Sequence, residues 1–286
     1  MNRKIVVGVD ELETSAAALE WALRRAEALD APVVLMHAVP AAWLSKKYGY
    51  YNSIINDEQA LVRQIESRAA ELAPTVTATG SLRSGSAQHV LHELSEDAGL
   101  VVVGTHRKAG FAGDFFGSVS MQVAARSSCP VAIIPQLLSG DRTGVVVGVD
   151  GSEDAKDAVD FAAAEAGRTG QELTVVYAAH LPSQRVLKHI PEEGIADRLE
   201  EERTVLAESV AGLSDRFPDL VVHQLFVTDE TPARALLQAA ATAQLLVVGS
   251  HGHGARGRKW MGSVSHEVLG HAPCPTVITR TKHTKS

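Results

Sequence analysis

A five-residue stretch, VVGVD, occurs twice in the chain, at Val6–Asp10 and again at Val146–Asp150. Each copy is a short β-branched run that ends in a carboxylate. Other pairs follow in the same order: VVVGTH at 101–106 and LVVGSH at 246–251, GSVS at 117–120 and 262–265, SCPVAII at 128–134 and PCPTVIT at 273–279. Repetition on this scale indicates two copies of one domain-sized unit.

The join between the copies lies in the segment PQLLSGDRTG, Pro135 to Gly144, whose Pro, Gly, Ser and charged residues are typical of a linker. Matching motifs lie 140 residues apart at the first pair and 145 apart at the last, so the second copy has gained five residues. We therefore expect two domains, at residues 1–136 and 143–280.

Within each copy, short Val- and Ile-rich runs alternate with longer Ala- and Leu-rich stretches, the pattern of parallel strands joined by helices. The runs are rich in Val and Leu without polar alternation, as in strands buried on both faces of a sheet. Each half is predicted to be a five-stranded α/β domain. The predicted strands are Ile5–Val9, Val33–Val39, Val76–Leu82, Leu100–Gly104, Val131–Ile134, Val145–Val149, Leu173–Ala178, Leu220–Val227, Leu245–Gly249 and Thr276–Ile278.

The composition favours a globular cytoplasmic protein. Of 286 residues, 45% are hydrophobic and 21% are charged, and no apolar stretch has the roughly 20 residues that a membrane-spanning helix needs. A net charge of −7 argues against binding to nucleic acid or to an anionic membrane. Two cysteines, Cys129 and Cys274, are too few for a disulfide framework and are expected to be structural.

A glycine-rich segment, VVGSHGHGARGRKWMGSVS, follows the fourth strand of the second half. Gly249, Gly252 and Gly262 form the pattern G-x2-G-x9-G, and Ser263 comes next. Glycine lets an anion approach backbone amides, and a helix that begins at Ser263 would direct its free N–H groups at that anion. A phosphate group is the natural ligand. The alternative is a tight connection in which the glycines serve turn geometry alone.

Asp150 ends the first strand of the second half, and Asp10 has the same place in the first half. Ligands of doubly wound sheets bind beyond the carboxyl ends of the strands, so Asp150 is expected near the glycine loop. Its carboxylate could accept hydrogen bonds from a ribose hydroxyl or an adenine amine. The alternative is that Asp150 caps the next helix. The segment matches neither the P-loop nor the dinucleotide fingerprint.

These residues resemble the universal stress protein family in its tandem form. The matching features are VVGVDGSEDA at 146–155, the glycine-rich segment, and HAPCPTVIT at 271–279. The resemblance implies two tandem Rossmann-like domains of the adenine nucleotide alpha hydrolase type, each a five-stranded parallel sheet with helices on both faces. It further implies ATP as the ligand, with Mg²⁺ or Mn²⁺ on the phosphates, a role in stress survival and a homodimer.

The resemblance also implies which residues bind the nucleotide. In the second half, Asp150 would contact adenosine and the Ala179 backbone would touch adenine. The phosphates would lie against Gly249, Gly252, Gly262, Ser263 and Val264.

The first half departs from the family pattern. The residues expected at its site are Asp10, Val39, Gly104, Gly117, Ser118 and Val119, but Arg107 replaces the second glycine and VDEL replaces VDGS. If that position needs a left-handed backbone, a side chain there costs about 1–2 kcal/mol. Arg107 could instead bind a phosphate through its guanidinium. Weaker nucleotide binding is expected in the first half.

The sequence offers no persuasive catalytic residue. His251 and His253 lie near the expected phosphates, but no orienting partner is evident, and His-x-His without a nearby Cys or carboxylate is a poor transition-metal site. An ATP-binding regulatory protein, without a metal site of its own, is therefore the leading hypothesis. The alternatives are a slow ATPase or autophosphorylating enzyme, and a scaffold that binds no nucleotide. The sequence identifies no protein partner.

Overall fold

The computed structural model describes residues 3–44, 50–105, 118–136, 141–179, 181–182, 184–252 and 261–280. The chain divides into two compact units, Met1–Leu138 and Ser139–Ser286. In the described part of the chain, no helix is both long enough and apolar enough to cross a membrane.

The first unit alternates strands and helices along its length. Its elements are β1 (Ile5–Gly8), α1 (Leu12–Leu29), β2 (Val33–Val39), a 3-10 turn (Ala41–Trp43), α2 (Tyr51–Leu72), β3 (Ala78–Ser84), α3 (Ala87–Ser95), β4 (Leu100–Thr105), α4 (Ser118–Arg126) and β5 (Val131–Pro135). The strands are parallel, in the order β3-β2-β1-β4-β5.

The second unit repeats this arrangement. Its elements are β6 (Val145–Gly148), α5 (Glu153–Thr169), β7 (Leu173–Ala178), α6 (Gln184–Leu187), α7 (Glu192–Val210), α8 (Leu213–Arg216), β8 (Val222–Val227), α9 (Pro232–Ala239), β9 (Leu245–Gly249), α10 (Ser263–His271) and β10 (Thr276–Thr279). The strands are again parallel, in the order β8-β7-β6-β9-β10.

The central strands of both units form the cores. Val6 and Val7 on β1, and Val147 and Val247 in the second unit, are fully buried. Helix α1 packs against α2, and α3 against α4, while α9 packs against α10. Because right-handed crossovers on either side of the first strand place helices on opposite faces, both faces of each sheet are covered. The predicted α/β class is confirmed.

Two predicted strands begin too early. The third strand of the first unit starts at Ala78 rather than Val76, because the Val76 amide donates to the Ala73 carbonyl at 3.0 Å in a turn that ends α2. Similarly, β8 starts two residues after Leu220, whose amide donates to the Phe217 carbonyl at 3.1 Å. In both places a turn uses the amide that a longer strand would need.

The order of strands in the second unit reverses between β6 and β9. The connection from β6 leads to β7 on one side, whereas β9 lies on the other side of β6. The loops that leave the carboxyl ends of these two neighbouring strands therefore diverge, and a crevice opens between them. Asp150 follows one of these strands and the glycine-rich segment follows the other.

Candidate functional site

The crevice of the second unit is a cavity of about 650 Å³, within the range of small-molecule sites. Its wall is formed by the carboxyl ends of three strands and the starts of three helices. The residues that line it are Gly148, Val149, Asp150, Ala155, Val176, Tyr177, Ala178, Pro232, Leu236, Val248, Gly249, His251, Gly252, Met261, Gly262, Ser263, Val264 and Ser265. Six of the seven residues predicted for the second half are in this wall.

The Asp150 carboxylate lies directly against the glycine-rich segment. A Cβ atom added to Gly252 would overlap Asp150 Oδ2. The other carboxylate oxygen, Oδ1, accepts a hydrogen bond of 3.0 Å from the Ser152 amide. The helix cap is Ser152, whose Oγ accepts from the Ala155 amide at 3.2 Å. Asp150 therefore stabilises the turn before α5 and faces the glycine-rich segment, whereas Ser152 caps the helix.

The start of α10 provides backbone donors at the cavity wall. The first helical hydrogen bond runs from the His266 amide to the Gly262 carbonyl at 2.9 Å. The amides of Ser263, Val264 and Ser265 precede it and have no carbonyl partner within the helix. Together with the positive end of the helix dipole, they form an anion-binding arrangement.

Gly262 contributes differently from the prediction. Its amide donates to the Ser250 carbonyl at 2.9 Å and so fixes the two ends of the glycine-rich segment to each other. Ser265 strengthens this closure, since its Oγ donates to the Gly249 carbonyl at 2.6 Å. The donors left for an anion are those of the next residues, Ser263 and Val264.

The glycines of the segment allow other residues to pack directly against the backbone, and they do not have a left-handed backbone conformation. Neither Gly249 nor Gly252 has a positive φ. A Cβ on Gly249 would come within 3.0 Å of Asp154 Cβ and 3.1 Å of its carbonyl oxygen, while one on Gly252 would meet Asp150. The cost considered for a left-handed position therefore does not apply at Gly252. Arg107, the corresponding residue of the first half, lies outside the described residues.

His251 has the orienting partner that the sequence does not reveal. Its Nδ1 lies 2.9 Å from Ser250 Oγ and 3.3 Å from Asp154 Oδ2, and its backbone amide donates to the same Oδ2 at 3.0 Å. Ser250 Oγ donates to Asp154 Oδ2 at 2.8 Å. Asp154 lies on α5, 97 residues away from His251 in sequence, so spacing gave no sign of this contact. His253 lies outside the described residues.

The cavity wall also has apolar residues that were missed from the sequence. They include Val176, Pro232 and Leu236, and Tyr177 is part of the same wall. The Tyr177 ring stacks on Phe226 with centroids 5.7 Å apart. Burial, and then the charge of Glu202, raises the pKa of Tyr177, so its hydroxyl stays neutral.

Ala179 is the predicted residue that the cavity wall does not include. It is almost completely buried, and its amide donates to the Val227 carbonyl at 2.8 Å. Its neighbour Ala178 lines the cavity instead. A backbone contact from this strand to a ligand would therefore come most directly from Ala178.

Comparison with known proteins gives this site its context. The sequence pattern of the Universal stress protein family matches the chain twice, at residues 1–135 and 142–280. The chain belongs to the universal stress protein family. It is 34% identical to a universal stress protein of Mycobacterium tuberculosis over 291 residues, which cover 96% of each chain. It is equally similar to one from Mycolicibacterium smegmatis, with 34% identity over 289 residues and 96% coverage of each.

The crystal structure of a universal stress protein from Archaeoglobus fulgidus has the same fold. It superposes with a TM-score of 0.71 over 97% of this chain and 98% of that one, at 20% identity. The tandem arrangement of two such α/β units is therefore a known architecture of universal stress proteins.

The first unit of this universal stress protein places its predicted residues differently. Asp10 is exposed, and its amide donates to Ser15 Oγ at 2.9 Å. The Val39 carbonyl already accepts the Gly85 amide at 2.9 Å. Gly104 repeats the second-unit arrangement, since its carbonyl accepts Ser120 Oγ at 3.1 Å.

The start of α4 holds the remaining predicted residues of that unit. Ser118 and Val119 begin this helix, and Val119 is half-buried. Gly117 lies outside the described residues. The first unit therefore shares the helix start and the strand end of the second, while the loop that would join them is not described.

A histidine fills the position of Tyr177 in the first unit. His37 precedes Val39 on β2 as Tyr177 precedes Ala179, and its Nδ1 donates to the Val9 carbonyl at 2.9 Å. Its Nε2 lies 2.9 Å from Glu58 Oε2 on α2. This bridge ties α2 to the end of β1.

Proposed function

We propose that the second unit binds ATP in its cavity and that this protein acts as a nucleotide-binding regulator in the stress response. The observation that carries the proposal is the contact between Asp150 and Gly252 at one edge of the sheet, beside the amides of the first turn of α10, which have no partner within that helix. One cavity thereby offers a carboxylate for a nucleoside and backbone donors for phosphates. A phosphate-free ligand would leave the α10 amides unused.

The cavity wall has groups that suit each part of the nucleotide. The apolar residues Val176, Pro232 and Leu236 suit the faces of a purine, and the Asp150 carboxylate can accept from a ribose hydroxyl or the adenine amine. The Ser263 and Val264 amides suit phosphate oxygens. A cavity of about 650 Å³ accommodates a ligand of this size.

A divalent cation would be bound mainly through the phosphates. Among the described residues, there is no group of three or more His, Cys, Asp or Glu side chains that could hold a metal ion. Mg²⁺ is commonly bound through substrate phosphates and retained waters, with few protein ligands. Mg²⁺ or Mn²⁺ would neutralise phosphate charge in this protein, whose own net charge is −7.

The test is the identity and affinity of the bound nucleotide. Purified protein is denatured and the released small molecules are identified by mass spectrometry, and ATP binding to nucleotide-free protein is measured by calorimetry with and without Mg²⁺. ATP at 100 times its Kd should raise the free energy of unfolding by about 2.7 kcal/mol. Absence of released nucleotide, together with no binding heat and no stabilisation, would support the scaffold alternative instead.

The regulatory part of the proposal concerns association. A homodimer is the expected state, and light scattering of nucleotide-free and ATP-loaded protein measures whether occupancy changes it. A mass equal to one chain under both conditions would contradict this part while leaving ATP binding intact. The cytoplasmic location remains a prediction, which fractionation of cells would test.

Slow ATP hydrolysis is the second candidate, favoured by the contact between His251 and Asp154. A histidine whose Nδ1 is held by a carboxylate can orient its other nitrogen toward a water molecule. Release of inorganic phosphate from ATP by the purified protein, lost in His251→Gln, would place the protein among enzymes. Binding without phosphate release supports the regulator.

A further inference from the structure

Strand β8 is the outermost strand of the second unit, next to β7. The Leu173 amide on β7 donates to the Val221 carbonyl at 2.9 Å, so Val221 directs its backbone carbonyl toward β7. Backbone groups point to alternate sides along a strand, so every second residue of β8 directs its amide and carbonyl outward. These outward backbone groups, which we call the β8 edge, belong to Val222, Gln224 and Phe226.

The β8 edge has none of the usual devices that keep other chains away. Residues 220–228 include no Asp, Glu, Lys, Arg or Pro. Val221 and Leu225 lie on one face of the strand and are 49% and 39% exposed. In the described part of the chain, no side chain bonds to the backbone of the β8 edge. Outward backbone groups beside exposed apolar side chains are a template for strand pairing.

The outermost strand of the first unit, β3, is protected instead. The Gly80 amide on β3 donates to Glu66 Oε1 on α2 at 2.5 Å, so a carboxylate covers the outward side of that strand. Strands β3 and β8 begin at positions 78 and 222, 144 residues apart. At that spacing Gln224 has the place of Gly80, and Val210, which has no acceptor in its side chain, has the place of Glu66. The fold therefore forms with a protected or an unprotected edge.

The charges at the two ends of β8 indicate what kind of chain fits. Asp219 before the strand and Asp229 after it are both exposed, and neither forms an ion pair with a described residue. Arg203 lies on the face that α7 covers, over the Phe226 ring at 4.3 Å from its centroid. A partner strand with a basic residue at each end would be attracted to the two carboxylates.

A second copy of this chain fits the same edge poorly. The antiparallel pairing of two β8 strands that uses all the outward residues is centred on Gln224. It places Asp219 of each copy opposite Asp229 of the other. Like charges directly opposite each other destabilise a pair of strands. Charge therefore favours a different protein as the occupant.

We propose that the β8 edge binds an extended segment of another protein, in which apolar residues alternate and a Lys or Arg stands at each end. The segment adds a strand to the sheet, and its backbone hydrogen bonds provide the affinity. Its apolar side chains contact Val221 and Leu225, and its basic ends lie near Asp219 and Asp229. This surface is separate from the nucleotide cavity, so the proposal does not depend on ATP binding.

The test is the binding of a fluorescent peptide of sequence KTVTVTVTK to the purified full-length protein, measured by anisotropy without nucleotide. One peptide should bind per chain. Leu225→Lys, which replaces an exposed apolar contact with a charge like those of the peptide, should raise the Kd at least about tenfold. Ser84→Lys is the matched control, because it adds the same charge at an exposed position of β3 and should leave the Kd unchanged.

Two further measurements separate the hydrogen bonds from the charges. A peptide methylated on alternate backbone nitrogens, so that it cannot donate to the β8 edge, should not bind the wild-type protein, and this comparison needs no variant to fold. Raising NaCl from about 50 to about 500 mM should weaken binding of the unmethylated peptide. Asp219→Asn combined with Asp229→Asn should weaken binding and reduce this salt dependence.

Three results would overturn the proposal. The first is absence of binding at about 1 mM of the unmethylated peptide. The second is equal binding of the two peptides, or equal binding by wild type and Leu225→Lys. The third is a mass of two chains in light scattering that falls to one in Leu225→Lys, because a second copy would then occupy the β8 edge. Failure of the protein to bind ATP would contradict the proposed function and leave this result unaffected.

Discussion

Replacement of Gly252 by alanine tests the nucleotide site through a single atom. The added Cβ would overlap Asp150 Oδ2, and the carboxylate must swing away, straining the 3.0 Å hydrogen bond that Oδ1 accepts from the Ser152 amide. If Asp150 contacts the nucleoside, this movement removes one hydrogen bond to a charged group, worth about 1.5–3 kcal/mol. Gly252→Ala should therefore raise the Kd for ATP by about 10- to 150-fold.

A double-mutant cycle with Asp150→Ala identifies the cause of that loss. Among the described residues, Asp150 provides every atom within 4 Å of the added Cβ, so removal of its carboxylate removes that clash. Calorimetry should show that Gly252→Ala changes the Kd by less than about threefold in the Asp150→Ala background, because the two substitutions act on the same contact. Gly270→Ala is the control that should leave the Kd unchanged, because the added atom meets no described residue within 4 Å outside its own stretch of helix.

Additivity in this cycle would refute the reasoning. If Gly252→Ala weakens binding equally with and without the Asp150 carboxylate, the glycine acts directly on the phosphates and not through Asp150. If neither substitution alters the Kd while the protein still binds ATP, the cavity is not the ATP site. Far-ultraviolet circular dichroism and the free energy of unfolding of each variant separate loss of binding from loss of fold.

Two other substitutions test the packing. Gly148→Ala should destabilise the second unit by about 1–3 kcal/mol in urea unfolding, because the new Cβ would lie 2.9 Å from both terminal methyl groups of Leu236; an unchanged midpoint would show that α9 can shift freely. In a Cys129→Ala variant, the Cys274 thiol should react with a thiol reagent at pH 8 only after unfolding, since burial raises its pKa to about 12 and leaves a thiolate fraction of about 10⁻⁴. Reaction of the folded protein at the rate of a free thiol would contradict this.

The sheet could be predicted from the sequence because its physical cause is local. Parallel strands buried on both faces require unbroken apolar runs, and VVGVD and VVVG supply them in the right order. The errors lie at the starts of β3 and β8, where Val76 and Leu220 continue the apolar run. Both residues belong to turns, and a hydrogen bond between nearby backbone atoms leaves no mark on hydrophobicity.

The site could be predicted only in part, because some of its residues are positioned by the ends of strands and others by the packing of helices. Asp150 and the glycine-rich segment follow neighbouring strands, and the rule about the carboxyl ends of parallel strands brings them together. Pro232 and Leu236 enter the wall from α9, and Asp154 reaches His251 from α5. These contacts depend on how each helix is rotated against the sheet, and the sequence pattern fixes only which face of the helix is apolar.

Comparison of the two units separates residues that the fold needs from residues that the site needs. A Cβ atom added to Gly8 would lie 3.2 Å from the Leu91 side chain, and one added to Gly148 would lie 2.9 Å from the Leu236 side chain. Both units therefore have a glycine packed against a leucine. That pair therefore serves packing in both units. By contrast, Asp154 is replaced by Thr14 in a unit that folds in the same way. The carboxylate is therefore not required by the architecture, and in the second unit it holds the amide and Nδ1 of His251, a residue of the cavity wall.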